Sequence, residues 1–275
     1  MTIKRICLVA SLALAILLSA SNVRAVGTAY EYAISEVDDA GLVLESDAAT
    51  LGLDLSLADY SDDESGWESY ATDEYEIARF RGSGYFMFLN KKTESGEVER
   101  GAETINSEQI EDCALTLLEE LKLPFEQIHS VEVHLISAQG EDVEGNNDGP
   151  IMTVGFLVYI HRQIDGFPVY GSNAKVVYNH KGQLHQISMS WRNIDVEPLD
   201  RRSILDEGLL WEEGAYEIYG ENSPAQDQVD SIHAVYAYEE APYYLQQDTF
   251  ELRYVFSYVY DHESFVMNHS VAATE

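Results

Sequence analysis

Between Gly166 and Trp191 the chain reads GFPVYGSNAKVVYNHKGQLHQISMSW, a run whose turns are written into its residues. Asp165-Gly166 and Lys181-Gly182 favour tight reversals, because glycine accepts the positive φ that such turns demand, and they bracket segments rich in β-branched and aromatic side chains. The chain is therefore expected to reverse twice, as an antiparallel β-meander. Strands are expected over Val131–Ser137, Thr153–Arg162, Ala174–Tyr178 and Leu184–Trp191, with an acidic loop over Glu141–Gly149. Just upstream, Asn106 or Ser107 offers a helix N-cap. Ile110, Cys113, Ala114, Leu117, Leu118 and Leu121 follow at the spacing of one apolar helical face, and Pro124 stops the helix. Glu108, Glu111, Asp112, Glu119 and Glu120 take the other side, so the helix should lie on the sheet with Cys113 as a small buried side chain.

A strand ending in YIHRQIDG, then G-F-P-V-Y-G, a strand, a glycine turn and a strand closing on Trp191 resembles the PepSY and thermolysin-propeptide (FTP) superfamily from about Asn106 to Ile194. The resemblance implies a small noncatalytic module in which a helix packs on an antiparallel meander. It also directs a search for the His-Glu-x-x-His zinc motif of the peptidases that carry such modules as propeptides. His262-Glu263 is followed by Ser264, Phe265 and Val266, so the second histidine is missing. The reading is an exported noncatalytic binding module that contacts, and inhibits, a secreted or periplasmic peptidase. A true propeptide is joined to its enzyme, whereas this chain ends at Glu275, which departs from the family pattern. Rival readings are an exported structural or envelope interaction protein, and a hydrolase with an unrecognised carboxylate pair.

The remaining chain divides around that module. Residues 1–25 carry Lys4 and Arg5, an apolar run from Ile6 to Leu18, and Val23-Arg24-Ala25, which together read as a cleaved signal peptide. The run is shorter than the ~20 residues a spanning helix needs, so no membrane insertion is expected after cleavage. Residues 26–105 form an acidic, strand-bearing N-terminal region. From Val26 to Ala78 no Lys, Arg or His balances the carboxylates from Glu31 to Glu76, and DYSDDESGWESYATDEYE is expected to be a loop or mobile segment. Tyr85–Leu89 reads as a buried strand leading to a Ser95-Gly96 turn. Residues 106–198 are the PepSY-like module, and residues 199–275 a divergent second helix-plus-strands unit. The latter has a helix over Ser203–Tyr219 and strands over Ile232–Tyr238 and Phe250–Tyr260, with Val229-Asp230-Ser231-Ile232 echoing Ile128-His129-Ser130-Val131. The fold class is thus α+β.

Charge sets the partner class. The formal net charge is −33, which repels nucleic acid and anionic lipid. A basic partner or divalent cations fit it, as does a plain solvated acidic surface. With 45% hydrophobic content the chain is expected to fold rather than remain disordered. Cys7 lies in the signal segment, which leaves Cys113 alone and stability to the core.

No motif spells out a reaction, and no catalytic, cofactor or metal residues are assigned. Asp59–Glu68 lacks the register of an EF-hand loop. His180 and His185 flank the Lys181-Gly182 turn as the nearest approach to a metal pair, yet without a third ligand they read as surface or strand-edge histidines. Arg81-Gly82-Ser83-Gly84 has the wrong order for a nucleophile elbow. Leu252, Tyr254, Phe256, Tyr258 and Tyr260 alternate onto one strand face, as a ladder that packs beneath a helix or binds a peptide or sugar. Asn268-His269-Ser270 matches a glycosylation sequon whose use a bacterial-looking signal makes unexpected.

Overall fold

The structure, a computed structural model, describes residues 27–35, 40–93, 105–139, 151–195, 197–204, 229–238, 247–259 and 266–272. Its elements in chain order are β1 (Gly27–Ser35), α1 (Ala40–Thr50), β2 (Asp59–Asp62), β3 (Trp67–Ala71), β4 (Tyr75–Phe80), β5 (Phe86–Asn90), α2 (Ser107–Glu120), β6 (Ile128–Gln139), β7 (Ile151–Ile164), β8 (Phe167–Asn179) and β9 (Leu184–Ser190). There follow β10 (Asn193–Ile194), β11 (Asp200–Ile204), β12 (Val229–Tyr238), β13 (Thr249–Phe250), β14 (Leu252–Val259) and β15 (Val266–Ala272). Antiparallel sheet dominates, with two α-helices among the described residues, so the fold is β-rich α+β. Residues 1–25, expected to be a signal peptide, the turn expected at Ser95-Gly96, the loop expected over Glu141–Gly149 and His262-Glu263 lie outside the described residues.

The chain divides into two compact units. The larger comprises Tyr32–Glu197 and Ala237–Phe250; its sheet runs β6-β7-β8-β9-β5-β4-β3-β2 with these neighbours antiparallel, and Ala237 and Tyr238 of β12 pair parallel with Val169 and Tyr170 of β8. The two turns read from sequence are present. Asp165 and Gly166 take φ of 52° and 83° between β7 and β8, as a two-residue reversal demands. Gly182 donates to the Asn179 carbonyl at 2.9 Å between β8 and β9, and the Asn179 side chain accepts from Lys181 N and Gln183 N, both at 3.0 Å.

Helix α2 starts at the expected cap. Asn106 Oδ1 accepts from Gln109 N at 2.8 Å while Gln109 Oε1 accepts from Asn106 N at 3.3 Å, a reciprocal capping box. Ile110, Ala114 and Leu118 are fully buried in one core with Phe86, Phe156, Val158, Ile160, Val176 and Ile187. Each large apolar side chain among them stabilises by roughly 1.5–3 kcal/mol on leaving water. Cys113 is exposed, contrary to expectation. The buried stripe follows i, i+4, i+8 from Ile110, which rotates Cys113 to the flank. Helix α1 enters the same core through Leu44 and Ala48, and its Asp47 pairs with Arg79 of β4 at 2.5 Å.

The acidic segment expected to be mobile is a hairpin. Asp59–Asp62 pairs with Trp67–Ala71, which pairs in turn with β4. Like charges are tolerated there because all four β2 residues face water, while Arg81 binds Asp62 at 2.6 Å and also Glu68. A smaller core of Tyr32, Ile164, Val169 and Phe250 adjoins a polar hub in this unit. Arg162, 1% exposed, donates from Nε to Gln127 Oε1 at 2.9 Å and lies over the rings of Trp191 and Phe250 at 5.1 and 5.3 Å.

The other unit comprises Met1–Glu31, Pro198–Tyr236 and Glu251–Glu275. Here Gly27–Glu31 of β1 pairs with β11, supported by Arg202 Nη2 on Glu31 Oε2 at 2.6 Å, and β14 pairs with β15. The helix expected over Ser203–Tyr219 is corrected at its start. Ser203 and Ile204 end β11, held by antiparallel pairing to Thr28 and Gly27, and the rest of that span lies outside the described residues. Strands β12 and β14 cover most of the two expected strands.

Candidate functional site

Alternation along the strands sorts residues onto two faces. Phe156, Val158 and Ile160 of β7 and Ala174, Val176 and Tyr178 of β8 point into the helix-side core. The intervening residues therefore point to the opposite face. There the registers place Glu132, Tyr159, Lys175, Ser188 and Met87 in one row across five strands.

Around this row polar and aromatic groups converge. Glu132 bridges two imidazoles, with Oε2 at 3.2 Å from His134 Nε2 and Oε1 at 3.5 Å from His161 Nε2. The rings of Tyr159 and His161 are 4.5 Å apart, and Lys175 Nζ lies 5.2 Å from the Tyr159 ring centre. Burial pushes the Tyr159 hydroxyl above its usual pKa, aided by the charges of Glu132 and Tyr170. Farther along the same face Trp67 meets Phe80 and Tyr85 edge-on at 5.5 and 5.8 Å, and Tyr85 Oη bonds Ser188 Oγ at 2.9 Å. Such a face offers a carboxylate, imidazoles, an ammonium and flat rings to a partner. These groups can form hydrogen bonds, ion pairs and stacking contacts.

A second feature is an acid-lined recess of about 760 Å3 bounded by Gly52–Asp54, Leu57, Asp59 and Ala71–Tyr75. Several of its polar groups have structural tasks. Asp54 Oδ1 accepts from Ser56 N at 2.9 Å, which holds that carboxyl below its usual pKa, and Tyr75 Oη donates to the Asp54 carbonyl at 2.6 Å. Glu74 pairs with Lys92.

The residues singled out from sequence do not assemble into a centre. His180 is 3% exposed, contrary to the surface role expected; its backbone N–H donates to Val154 O at 3.1 Å. His185 Nδ1 instead meets Thr93 Oγ1 at 2.6 Å. Among the described residues no group of three His, Cys, Asp or Glu is placed to hold a metal ion. Ser83 is buried in the β4–β5 turn, where its Oγ accepts from Tyr85 N at 3.3 Å. Cys113 lines a shallow depression with Asp112, Thr116, Leu117 and Glu120. The side chains of the ladder beyond Arg253, and that of Asn268, lie outside the described residues. Sequence reading missed Glu132, Tyr159, His161 and Lys175. Their signal is polar residues at i, i+2 within otherwise apolar strands, which becomes a patch only once three strands are in register.

No known family's sequence profile matches this chain, and no curated protein matches it. Among solved structures, the chain is similar to an uncharacterized protein from Eubacterium rectale ATCC 33656, with a TM-score of 0.51 and 12% identity over 89% of this chain and 82% of that one. At that identity the likeness is one of fold.

Proposed function

We propose that the chain is an exported, noncatalytic binding protein whose residues 106–198 form a PepSY-like or FTP-like helix-and-meander, and that this module contacts and inhibits a secreted or periplasmic peptidase. The observation that carries the reading is the sheet face opposite α2, where Glu132, His134, Tyr159, His161 and Lys175 meet through carboxylate–imidazole and ring contacts. Mixed donors, acceptors and aromatic rings on a rigid sheet suit protein recognition, because such surfaces bind without ordering a flexible loop. The capping box of α2 and the paired turn residues support the resemblance at the level of local structure.

The test is binding and inhibition of peptidases exported by the same cell, using the full chain. Binding is expected, with Tyr159→Ala and Lys175→Ala each weakening it by tenfold or more, since truncating an interface hot spot typically costs ~2 kcal/mol. Hydrolytic activity that follows the chain through purification, or binding indifferent to both substitutions, would contradict the proposal.

A further inference from the structure

Strand β6 forms one margin of the large sheet: among the described residues its strand partner is β7 alone. A row of outward N–H and C=O groups is a template for another strand, and proteins ordinarily blunt such an edge with Lys, Pro or bulges placed within it. Here the strand has no Lys and no Pro, and its two irregularities lie at the ends of one regular run. The register with β7 shifts at Ile128/Ser130 and again at Ile136/Ser137, leaving a regular run from Ser130 to Ile136. Leu135 and Ile136 in that run are 58% and 36% exposed.

We infer that this edge pairs with the same edge of a second copy, antiparallel about a two-fold axis at Val133. The regular run is symmetric about Val133, so only that register overlaps it along its whole length. The register also sets Glu132 opposite His134 of the second copy and His134 opposite its Glu132, and places the exposed Leu135 against Val131. Each is a favourable cross-strand combination, and all recur twice through the symmetry.

Charge selects the same place and the same occupant. The chain carries a net charge of −33, so two copies repel at most points of approach, yet Ile128–Gln139 contains Glu132 as its one carboxylate, beside His129 and His134. The margin therefore presents little net charge for a basic peptide to exploit. Its pattern complements itself. Long-range repulsion between copies remains, so added salt should tighten the dimer.

Sedimentation velocity of the full chain over a concentration series tests the inference without any peptidase. Wild type is expected to pass from monomer to dimer, at lower concentration as NaCl is raised. Leu135→Lys, a change at an exposed side chain, should abolish the dimer while leaving the melting temperature of the monomer intact. Glu132→Lys or His134→Glu alone should weaken association, and the two together should restore it. Register is read by crosslinking in a Cys7→Ser, Cys113→Ser background. Paired residues on a two-fold axis lie ~4.5–5.5 Å apart at Cα, within disulfide reach, so Val133→Cys should crosslink on oxidation and Val131→Cys should not. A monomer at every concentration and salt, a dimer unaffected by Leu135→Lys, or equal crosslinking at 131 and 133 would overturn it.

Discussion

Leu118 and Glu119 are neighbours in α2 with opposite surroundings: the first is 0% exposed among Phe and Ile side chains, the second faces water. Leu118→Ala removes buried methyl groups and leaves a cavity, a loss of ~2–5 kcal/mol, whereas Glu119→Ala should stay within about 0.5 kcal/mol. Thermal melts of the pair check the assignment, and equal shifts would place the helix face wrongly. Gly155 makes a different kind of demand. A Cβ there would lie 2.5 Å from the Tyr178 carbonyl oxygen, in the backbone of the next strand, so it cannot be relieved by a side-chain rotation. Gly155→Ala is therefore expected to lower the melting temperature and to loosen β7 against β8, read as faster amide exchange along Phe156–Val158. The buried Asp47 is pulled two ways: burial pushes its carboxyl above the usual value and outweighs the opposing attraction of Arg79.

At the level of elements the β2–β3 hairpin carries a pH signature. Asp63 Oδ1 accepts from Ser65 Oγ at 2.6 Å and from Ser65 N and Trp67 N at 3.0 Å, and these bonds hold its carboxyl below the usual range. A carboxyl depressed in the folded state adds stability above the unfolded value of about 3.9 and loses it as pH falls through the folded one. Amide protection in the hairpin should thus decline below about pH 4, and Asp63→Ala should abolish that acid dependence. A pH-independent hairpin in wild type would assign the turn's stability elsewhere. The same hairpin marks the limit of what was legible in the sequence. Asp165-Gly166, Lys181-Gly182 and Asn106 announced their turns and cap because each requirement is local. The Asp63–Gly66 turn was equally local, but the density of carboxylates suggested mutual repulsion, and the relief from Arg81 lies across two strands. The candidate face was less legible still, since Glu132, Tyr159 and Lys175 become neighbours only through the registers of β6, β7 and β8.

Across the whole molecule charge decides more than any single contact. With 49 acidic and 16 basic side chains, most carboxylates have no cation to face, and folding gathers them into a smaller volume. Salt should relieve that repulsion, since the Debye length falls from ~30 Å at 0.01 M to ~3 Å at 1 M. It also weakens exposed ion pairs such as Lys92–Glu74, but pairs of this kind are worth ~0–1 kcal/mol, while the buried Arg79–Asp47 pair is screened far less. With 33 more acidic than basic side chains, repulsion among the surplus carboxylates is expected to outweigh the ion pairs that salt would loosen. The melting temperature of dilute chain is therefore expected to rise as NaCl increases from ~0.01 to ~0.5 M. Measuring Leu135→Lys alongside wild type separates this effect from salt-driven association: the monomeric variant should show the same upward trend at every protein concentration. A fall in its melting temperature with salt would mean that surface ion pairs, rather than surplus negative charge, govern the stability of the fold.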